Sequence, residues 1–239
     1  MIGLGTIMNM GAIVLGGLGG LLLGKRISPR FQDTLMSAMG LCVIFLAIGG
    51  CMEEMLRIVD GGLTTGGTMM MIGSFAIGAI IGELLNLEEK MERFGDFLKR
   101  KTGNEGDAAF IDGFVTASLT VCIGAMAVVG SIRDGIYGDY SVLMAKSVLD
   151  MIIVAIMAAS MGKGCAFSAI PVAILQGSVT ALAGLLRPVM TDGALANLSL
   201  VGNVLIFCVG VNLVWGKKVK VANLLPAIVV AVAAAFLPL

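Results

Sequence analysis

Residues 141–160 have the sequence SVLMAKSVLDMIIVAIMAAS, which decides the fold class of this protein. A helix needs about 20 mostly apolar residues to cross the hydrocarbon core of a bilayer, and this stretch provides them. Its two charged residues, Lys146 and Asp150, are four positions apart and therefore share one helix face. With a rise of about 1.5 Å per residue, Asp150 lies about 13 Å from the start of the span, near the middle of the bilayer. The stretch predicts a transmembrane helix that carries a charged pair.

The composition of the whole chain also indicates a membrane protein. Of its 239 residues, 58% are hydrophobic, 13% are charged and 34 are glycine. A soluble domain of this length must cover its surface with polar side chains, and this chain has too few of them. Sixteen Lys and Arg residues balance sixteen Asp and Glu residues, so no basic surface for nucleic acid is expected. The composition therefore predicts the lipid bilayer as a partner and no nucleic-acid partner.

The residue types that are missing exclude most catalytic and cofactor sites. The chain has no histidine, which excludes histidine-based catalytic triads, HExxH zinc sites and imidazole proton relays. Its five cysteines form no CxxC pair, so neither a disulfide framework nor a zinc site is expected. We therefore predict a protein that is not an enzyme and that binds no cofactor and no metal at a dedicated site.

Hydrophobic stretches along the chain predict an all-α, polytopic transmembrane bundle of about eight spans, with seven as the alternative count. The predicted spans cover residues 2–24, 36–56, 66–86, 112–132, 141–162, 166–187, 195–215 and 221–238. The first span has no basic residue before Lys25, which indicates a retained helix rather than a secretory signal. Residues 87–101, LEEKMERFGDFLKRK, have apolar side chains at helical spacing among charges. They predict an amphipathic helix at the membrane surface, with a charged loop helix as the alternative.

The distribution of Lys and Arg predicts the orientation of the chain in the membrane. With eight spans and the N-terminus outside, twelve of these residues fall in inner loops and three in outer loops, while Lys146 falls within a span. Both termini are therefore predicted to lie outside. The hairpin at Lys163 is the weak point of this count, because one missed or additional span there would give seven or nine helices.

An internal repeat relates the two ends of the chain. Residues 36–50, MSAMGLCVIFLAIGG, align without a gap on residues 198–212, LSLVGNVLIFCVGVN, with four identities. The two copies are five spans apart, and because this number is odd they have opposite orientations in the membrane. Spans 1–3 and 6–8 are therefore predicted to form an inverted repeat. Chance similarity between glycine-rich helices is the alternative. We expect one integral membrane domain, residues 1–239, with repeat 1 over about 1–101, central spans over about 108–162 and repeat 2 over about 166–239.

Two spans contain a GxxxG motif, at Gly16/Gly20 and at Gly78/Gly82. Glycines at this spacing allow helix backbones to approach each other closely in a membrane. Close packing is therefore the predicted role of these glycines, and the lining of a pore is the alternative.

Polar residues within spans are the strongest functional candidates, because an ionisable group at the bilayer centre costs about 2.5–3.5 kcal/mol on insertion scales. The Lys146–Asp150 pair is interpreted either as a site for a coupling ion or proton, or as a self-neutralised pair that fixes helix packing. Gln176 lies at a similar depth in span 6. In the same region, Pro171 removes a backbone donor and Gly164 loosens the start of the span, so a kinked or broken helix is predicted.

Span 4 is rich in small and hydroxyl residues. Thr116, Ser118 and Thr120 give it a face that either packs tightly or lines a path, and they are included among the candidate binding residues. Asn9 in span 1 is interpreted as a group that makes hydrogen bonds between helices.

Four charged residues lie near the predicted membrane boundaries and are candidates for gating or interfacial roles. Glu83 and Asp112 flank the inner boundary, and Arg133 and Asp134 flank the outer one. Because interfacial charges are commonly solvated, we rank these four below Asp150 and Gln176.

Several stretches together resemble a known family of bacterial inner-membrane proteins, the YqgA/YdfK-like family. They are GTIMNMGAIVLGGLGGLLLGKRI, IGELLNLEEKMERFGDFLKRK, GFVTASLTVCIGAMAVVGSIRDG, MAKSVLD, FSAIPVAILQG and KVANLLPAIVV. The resemblance covers essentially the whole chain. It implies a multi-pass protein of the bacterial inner membrane, from a family of unknown function, and it brings no binding or catalytic residues with it.

The sequence favours a secondary transporter of an unidentified ion or small solute, with a polar site between spans 4, 5 and 6. The alternatives are an oligomeric channel lined by Gly- and Ser/Thr-rich helices, which requires a homo-oligomer, and a membrane scaffold that transports nothing.

Overall fold

A computed structural model describes residues 2–24, 28–59, 61–104, 107, 109–122 and 125–237. Within these ranges the chain is helical apart from its connections and one two-stranded hairpin. The helices are α1 (Leu4–Gly24), α2 (Pro29–Met55), α3 (Thr68–Leu85), α4 (Leu87–Lys101), α5 (Phe110–Cys122), α6 (Ala125–Tyr137), α7 (Ser141–Met161), α8 (Ala169–Ala181), α9 (Ala183–Leu186), α10 (Asp192–Trp215), α11 (Val221–Leu224) and α12 (Pro226–Ala234). A 3-10 helix, Lys163–Ser168, precedes α8, and the hairpin consists of β1 (Leu56–Val59) and β2 (Gly62–Thr65).

The predicted class, a helical membrane protein, is confirmed. Six helical segments of the described chain are long and apolar enough to cross a membrane, and a seventh is obtained if α5 and α6 together make one span. The last apolar segment, Val221–Ala234, is shorter than these. The predicted total of eight spans therefore stays a prediction.

The chain divides into two compact units. Unit 1 comprises Met1–Met39, Glu89–Cys122 and Met126–Arg187, and unit 2 comprises Gly40–Glu88, Ile123–Ala125 and Pro188–Leu239. Unit 1 contains the predicted polar residues of spans 4, 5 and 6, so it holds the candidate site.

Unit 1 is built around the close contact of α1 with α7. Three glycines of α1, spaced four apart on one face, lie against backbone carbonyls of α7, and a Cβ at any of them would collide with the carbonyl. The pairs are Gly16 with Met151, Gly20 with Ala155 and Gly24 with Ala159. Because both partners advance together along the chain, α1 and α7 run in the same direction.

Predicted span 4, residues 112–132, is not one straight helix. It is divided into α5 and α6, whose axes differ by 62°. The sequence across the division, Cys122 to Ala125, contains only small and apolar residues, and therefore no polarity signal marks it. Ile123 and Gly124 lie outside the described residues. Gly135 of α6 lies against the backbone carbonyl of Thr180, which joins α6 to α8.

Predicted span 6, residues 166–187, is also interrupted. It consists of the 3-10 helix, α8 and the single turn of α9. Pro171 is the third residue of α8, where its missing N–H costs no intrahelical hydrogen bond. The change of helix type precedes it, between Ser168 and Ala169. Gly164 is a packing position, because a Cβ there would collide with the Phe110 carbonyl of α5.

Unit 2 contains contacts between antiparallel helices. Gly78 and Gly82 of α3 lie against Ala227 and Asn223, so α3 runs opposite to α11 and α12. The packed residues around this contact are Val201, Ala227 and Ala231, with Met70, Phe75 and Ile228 against them. The hairpin pairs Leu56 with Thr65 in antiparallel register and was not predicted from the sequence, since each strand has only four residues.

Candidate functional site

The centre of the candidate site is a buried ion pair on α7. The Lys146 ammonium donates to Oδ1 of Asp150 at 2.8 Å, as the spacing of four residues on a helix allows. The two residues are only 7% and 3% exposed. Removing each charge from water costs on the order of several kcal/mol. Two opposite charges that are buried in this way therefore require close pairing and further hydrogen bonds.

Helix α1 supplies the second partner of the Asp150 carboxylate. The side-chain amide of Asn9 donates from Nδ2 to Oδ2 of Asp150 at 2.9 Å, and Asn9 is fully buried. The hydrogen bond between helices is the role predicted for Asn9. Its partner was not predicted, because the contact joins residues 141 positions apart and no local spacing reveals it.

Several buried polar atoms of unit 1 have no hydrogen-bond partner. Among the described residues these atoms are Thr6 Oγ1, Asn9 Oδ1, Ser131 Oγ, Gln176 Nε2, Gln176 Oε1 and Thr180 Oγ1. They belong to α1, α6 and α8, and α8 packs directly against α1. A buried polar group without a partner costs about 1–3 kcal/mol, so native structures contain few of them. All six atoms belong to unit 1, which also contains the ion pair, and a polar ligand could supply the hydrogen bonds that they lack.

Gln176 is the predicted binding residue with the most unused hydrogen-bonding capacity. It is 1% exposed, and both its amide nitrogen and its amide oxygen lack a partner. A side-chain amide can donate twice and accept at its oxygen, so Gln176 offers both kinds of contact at one position.

Two hydroxyl groups of span 4 already have hydrogen-bond partners within α5. Ser118 Oγ donates to the Phe114 carbonyl at 2.6 Å, and Thr120 Oγ1 donates to the Thr116 carbonyl at 2.8 Å. Both are bonds to the preceding turn of the same helix, which is a common local alternative for Ser and Thr. The protons of Ser118 and Thr120 are therefore already used.

Asp134, one of the four predicted boundary residues, is buried in the protein. It is fully buried on α6, and it accepts hydrogen bonds from the backbone N–H groups of Gly3 at 3.2 Å and Gly5 at 3.0 Å. Gly3 immediately precedes α1 and Gly5 lies in its first turn, where a carboxylate is favoured by the unpaired donors and by the helix dipole. Asp134 therefore caps α1 and joins it to α6.

The other predicted boundary residues are at the surface. Arg133 makes an exposed ion pair with Asp139 at 2.6 Å. Hydrogen bonds from Ser141, and then the Arg133 guanidinium, hold the pKa of Asp139 below its usual range. Asp112 is exposed in the first turn of α5.

Glu83 belongs to unit 2 and is not part of the site in unit 1. It is exposed and accepts from Lys220 Nζ at 3.1 Å and from Asn223 Nδ2 at 2.6 Å. Beside it, the buried Glu88 accepts from the Ala222 N–H at 3.0 Å and pairs with Lys217 at 3.0 Å. Glu88 was not singled out from the sequence, because it is one of four acidic residues within the charged segment 87–101. These contacts fix the α3–α4 junction to α11 and to the segment before it.

An open space in unit 2 has a different character from the site in unit 1. It is an apolar cavity of about 420 Å³ between α2, α3 and α10, lined by residues such as Met52, Met71 and Phe207. No charged side chain lines it, so it offers nothing to orient a polar solute.

Comparisons with known proteins agree with a membrane protein over the whole chain. The family described as "Protein of unknown function (DUF554)" matches residues 4–236. The chain is 28% identical to the "Uncharacterized membrane protein YdfK" of Bacillus subtilis (strain 168), over 95% of this chain and 93% of that protein. It is 29% identical to the "Uncharacterized protein YqgA" of Escherichia coli (strain K12), over 95% of this chain and 94% of that protein. No solved structure matches.

Proposed function

The chain belongs to the DUF554 family of proteins of unknown function, and we propose that it is a secondary transporter of an ion or small solute. Its polar site is formed by Lys146, Asp150 and Gln176, together with Asn9 and the hydroxyl of Thr6. We further propose that it acts in the bacterial inner membrane.

One observation carries this proposal: a buried ion pair shares a helical unit with six buried polar atoms that have no partner within the described part of the chain. A pair that served only packing would be expected to have its surroundings satisfied, since each unpaired group reduces stability. Ionisable residues within membrane spans are costly and are commonly found on ion or substrate pathways. The unused hydrogen-bonding capacity favours a ligand site.

The direction of the helices supports a complete crossing by α5 and α6. Two spans that run in the same direction are separated by an odd number of crossings, and α1 and α7 run in the same direction. Helices α2 and α3 supply two crossings, so the bent α5–α6 pair supplies the third. Helices α3 and α12 run in opposite directions, so by the same rule an even number of crossings separates them. The four segments α5–α6, α7, α8 and α10 provide that even number. We propose eight crossings on this basis, with both termini outside as the Lys and Arg distribution indicates.

The contact between α2 and α10 supports an inverted repeat. These antiparallel helices touch where Gly40 meets Val214, at one end, and where Cys51 meets the Leu200 carbonyl, at the other. The midpoint of this contact falls near Phe45 and Phe207. The sequence alignment makes these two residues equivalent, as a two-fold axis in the membrane plane requires. Inverted repeats are common in secondary transporters.

The glycine contacts favour a transporter over a glycine-lined channel. Gly16 and Gly20 lie against α7, and Gly78 and Gly82 lie against α11 and α12. These GxxxG faces are therefore occupied by helices of the same chain, whereas a channel lined by them would need them open. A homo-oligomer is not required for the site, because all of its residues come from one unit of one chain.

Reconstitution into liposomes tests the proposal. Uptake and supported-membrane currents are measured with proton gradients, Na⁺ gradients and small metabolites. We expect saturable flux that Asp150→Asn abolishes, while Asp96→Asn, at a partly exposed aspartate in an ion pair on α4, keeps it. Passive conduction that survives Asp150→Asn would favour the channel. The absence of flux under every condition, with a folded protein, would contradict the proposal.

A further inference from the structure

We infer that the site carries a small uncharged solute, such as a polyol or an amide, which is bound between Thr6, Ser131 and Gln176. The solute has both hydrogen-bond donors and acceptors. This inference rests on the proposed transporter function and names its substrate class.

Contacts between helices place Thr6 and Ser131 at the same level along the axes of unit 1. The side chain of Leu143, near the start of α7, lies against both Gly5 of α1 and Gly130 of α6, where a Cβ would collide with it. Thr6 follows Gly5 in the sequence, and Ser131 follows Gly130. Two buried hydroxyl oxygens that have no partner among the described residues therefore share one level.

Helix α8 runs antiparallel to α1. Ala166 of the 3-10 helix that precedes α8 lies against Gly17, far along α1. Near the end of α8, the Thr180 carbonyl lies against Gly135, which follows Asp134, the cap of α1, in the sequence. Residues later in α8 are therefore closer to the start of α1.

This direction brings Gln176 to the level of Thr6. Gln176 lies one turn before Thr180, and Thr6 lies one turn along α1 from the capped N–H group of Gly3. Thr6, Ser131 and Gln176 come from three different helices and are all buried. Each of them has side-chain atoms without a hydrogen-bond partner in the part of the chain that the structure describes. Three helices thus present unused polar groups at one level.

The unused groups belong to side chains that carry no charge. Within the described ranges, the atoms without a partner are hydroxyl oxygens of Thr6, Ser131 and Thr180 and amide atoms of Asn9 and Gln176. Hydroxyl groups and the Gln176 amide can both donate and accept, whereas Asn9 Oδ1 only accepts. A solute that satisfies these groups must combine donors with acceptors, as hydroxyl and amide compounds do.

The buried charges of unit 1 are already balanced. Among the described residues of this unit, the buried charged side chains are Asp134, Lys146 and Asp150. Lys146 and Asn9 donate to the two oxygens of Asp150, and the ion pair has no net charge. Asp134 faces the N-terminus of α1, where the helix dipole is positive.

A charged solute would disturb this balance. An anion or a cation would add a net charge that is buried without a counter-charge, which is strongly unfavourable in a medium of low dielectric constant. A zwitterion would need charged partners for both of its groups, and both oxygens of Asp150 are already used. The site therefore favours an uncharged solute over a charged one of the same size.

The binding arm of the test compares four compounds of nearly the same size in detergent, with ionic strength matched by NaCl. At about pH 6, lactamide is uncharged, lactate is an anion, alaninamide is a cation and alanine is a zwitterion. Thermal unfolding is measured as a function of concentration. We expect lactamide to raise the unfolding temperature saturably. The other three should require concentrations at least about tenfold higher, because each brings a charge that must be buried.

Variants of the protein locate the binding. Gln176→Leu removes a buried amide that has no partner in the described part of the protein, so it should lose the lactamide effect without losing stability. Thr6→Val keeps the side-chain shape and should raise the lactamide concentration at half-effect about two- to tenfold. Ser178→Ala, at an exposed hydroxyl on α8, is the control and should change nothing. Equal effects of the four compounds, no effect of lactamide, or an unchanged lactamide effect in both Gln176→Leu and Thr6→Val would overturn the inference.

The transport arm measures uptake of labelled lactamide and of the three charged compounds into proteoliposomes, with protein-free liposomes as the blank. We expect saturable uptake of lactamide above the blank. Saturable flux of an ion or of a charged compound, without lactamide uptake, would overturn the inference and leave the transporter proposal standing. The absence of flux of every ion and compound, with a folded protein, would overturn both.

Discussion

The side-chain amide of Asn9 donates a 2.9 Å hydrogen bond to the carboxylate of Asp150, 141 residues later in the chain. This bond joins α1 to α7 at the level of the buried ion pair. Among the residues that the structure describes, the amide oxygen of Asn9 has no partner. The same contact therefore contributes to the packing of unit 1 and presents an oxygen to the candidate site.

Replacing Asn9 tests the structural part of this role. Asn9→Leu removes one partner of a buried carboxylate, so we expect a loss of about 1–3 kcal/mol in the free energy of unfolding. Met10→Leu, the adjacent position on α1, serves as the control and should change little. Thermal unfolding in detergent measures both variants. Equal stability of Asn9→Leu and Met10→Leu would show that the bond does not hold α1 to α7.

The glycines of α1 provide a matched pair of substitutions. A Cβ at Gly20 would collide with the Ala155 carbonyl, whereas a Cβ at Gly19 has nothing within 4 Å. We expect Gly20→Ala to lower the thermal unfolding temperature by several degrees, because α1 must move away from α7. Gly19→Ala should raise stability by up to about 1 kcal/mol, since alanine favours the helix. Equal effects at the two positions would contradict the observed face of contact.

Asp134 should control the first turn of α1. Asp134→Asn removes the negative charge that faces the Gly3 and Gly5 N–H groups, an interaction of about 0.5–2 kcal/mol at a helix N-terminus. We expect faster amide hydrogen exchange over the first turn of α1, measured by mass spectrometry. Asp112→Asn, at an exposed aspartate, is the control. Unchanged exchange in Asp134→Asn would reject the capping role.

The exposed ion pair of Arg133 with Asp139 predicts that the stability of the protein depends on pH. Because the pKa of Asp139 is lowered in the folded protein, its contacts contribute fully above the unfolded-state pKa of about 3.9 and are lost as the pH falls through the lower folded value. The difference in unfolding temperature between the unmodified protein and Asp139→Asn should therefore be present near neutral pH and disappear in acid. A difference that grows on acidification would have the wrong sign.

The buried ion pair of Lys146 with Asp150 could be predicted from the sequence, whereas most contacts of the residues around it could not. Lys146 and Asp150 are found together because a spacing of four on one helix is sufficient. Asn9 and Asp134 owe their roles to contacts more than 125 residues away, which spacing does not encode. Ser118 and Thr120 were predicted to line a path or pack. Their hydroxyls bond to their own helix, a choice that composition alone does not decide.

Helix boundaries show the same division between local and distant causes. Helix α4 occupies Leu87–Lys101, the range predicted for the amphipathic helix, because its charged and apolar residues alternate at helical spacing. The division of span 4 into α5 and α6 has no such local pattern, since both sides of it are apolar.

Whether water reaches Gln176 tests the central claim most directly, and the answer does not depend on knowing the substrate. In a variant without native cysteines, Gln176→Cys is treated with a small, water-soluble thiol reagent from each side of the membrane. Ile174→Cys, on the exposed face of α8, is the lipid-facing control, and denaturation gives the complete reaction. The account predicts labelling of Gln176→Cys from both sides and little labelling of Ile174→Cys. No labelling of Gln176→Cys from either side, with full reaction after denaturation, would contradict it.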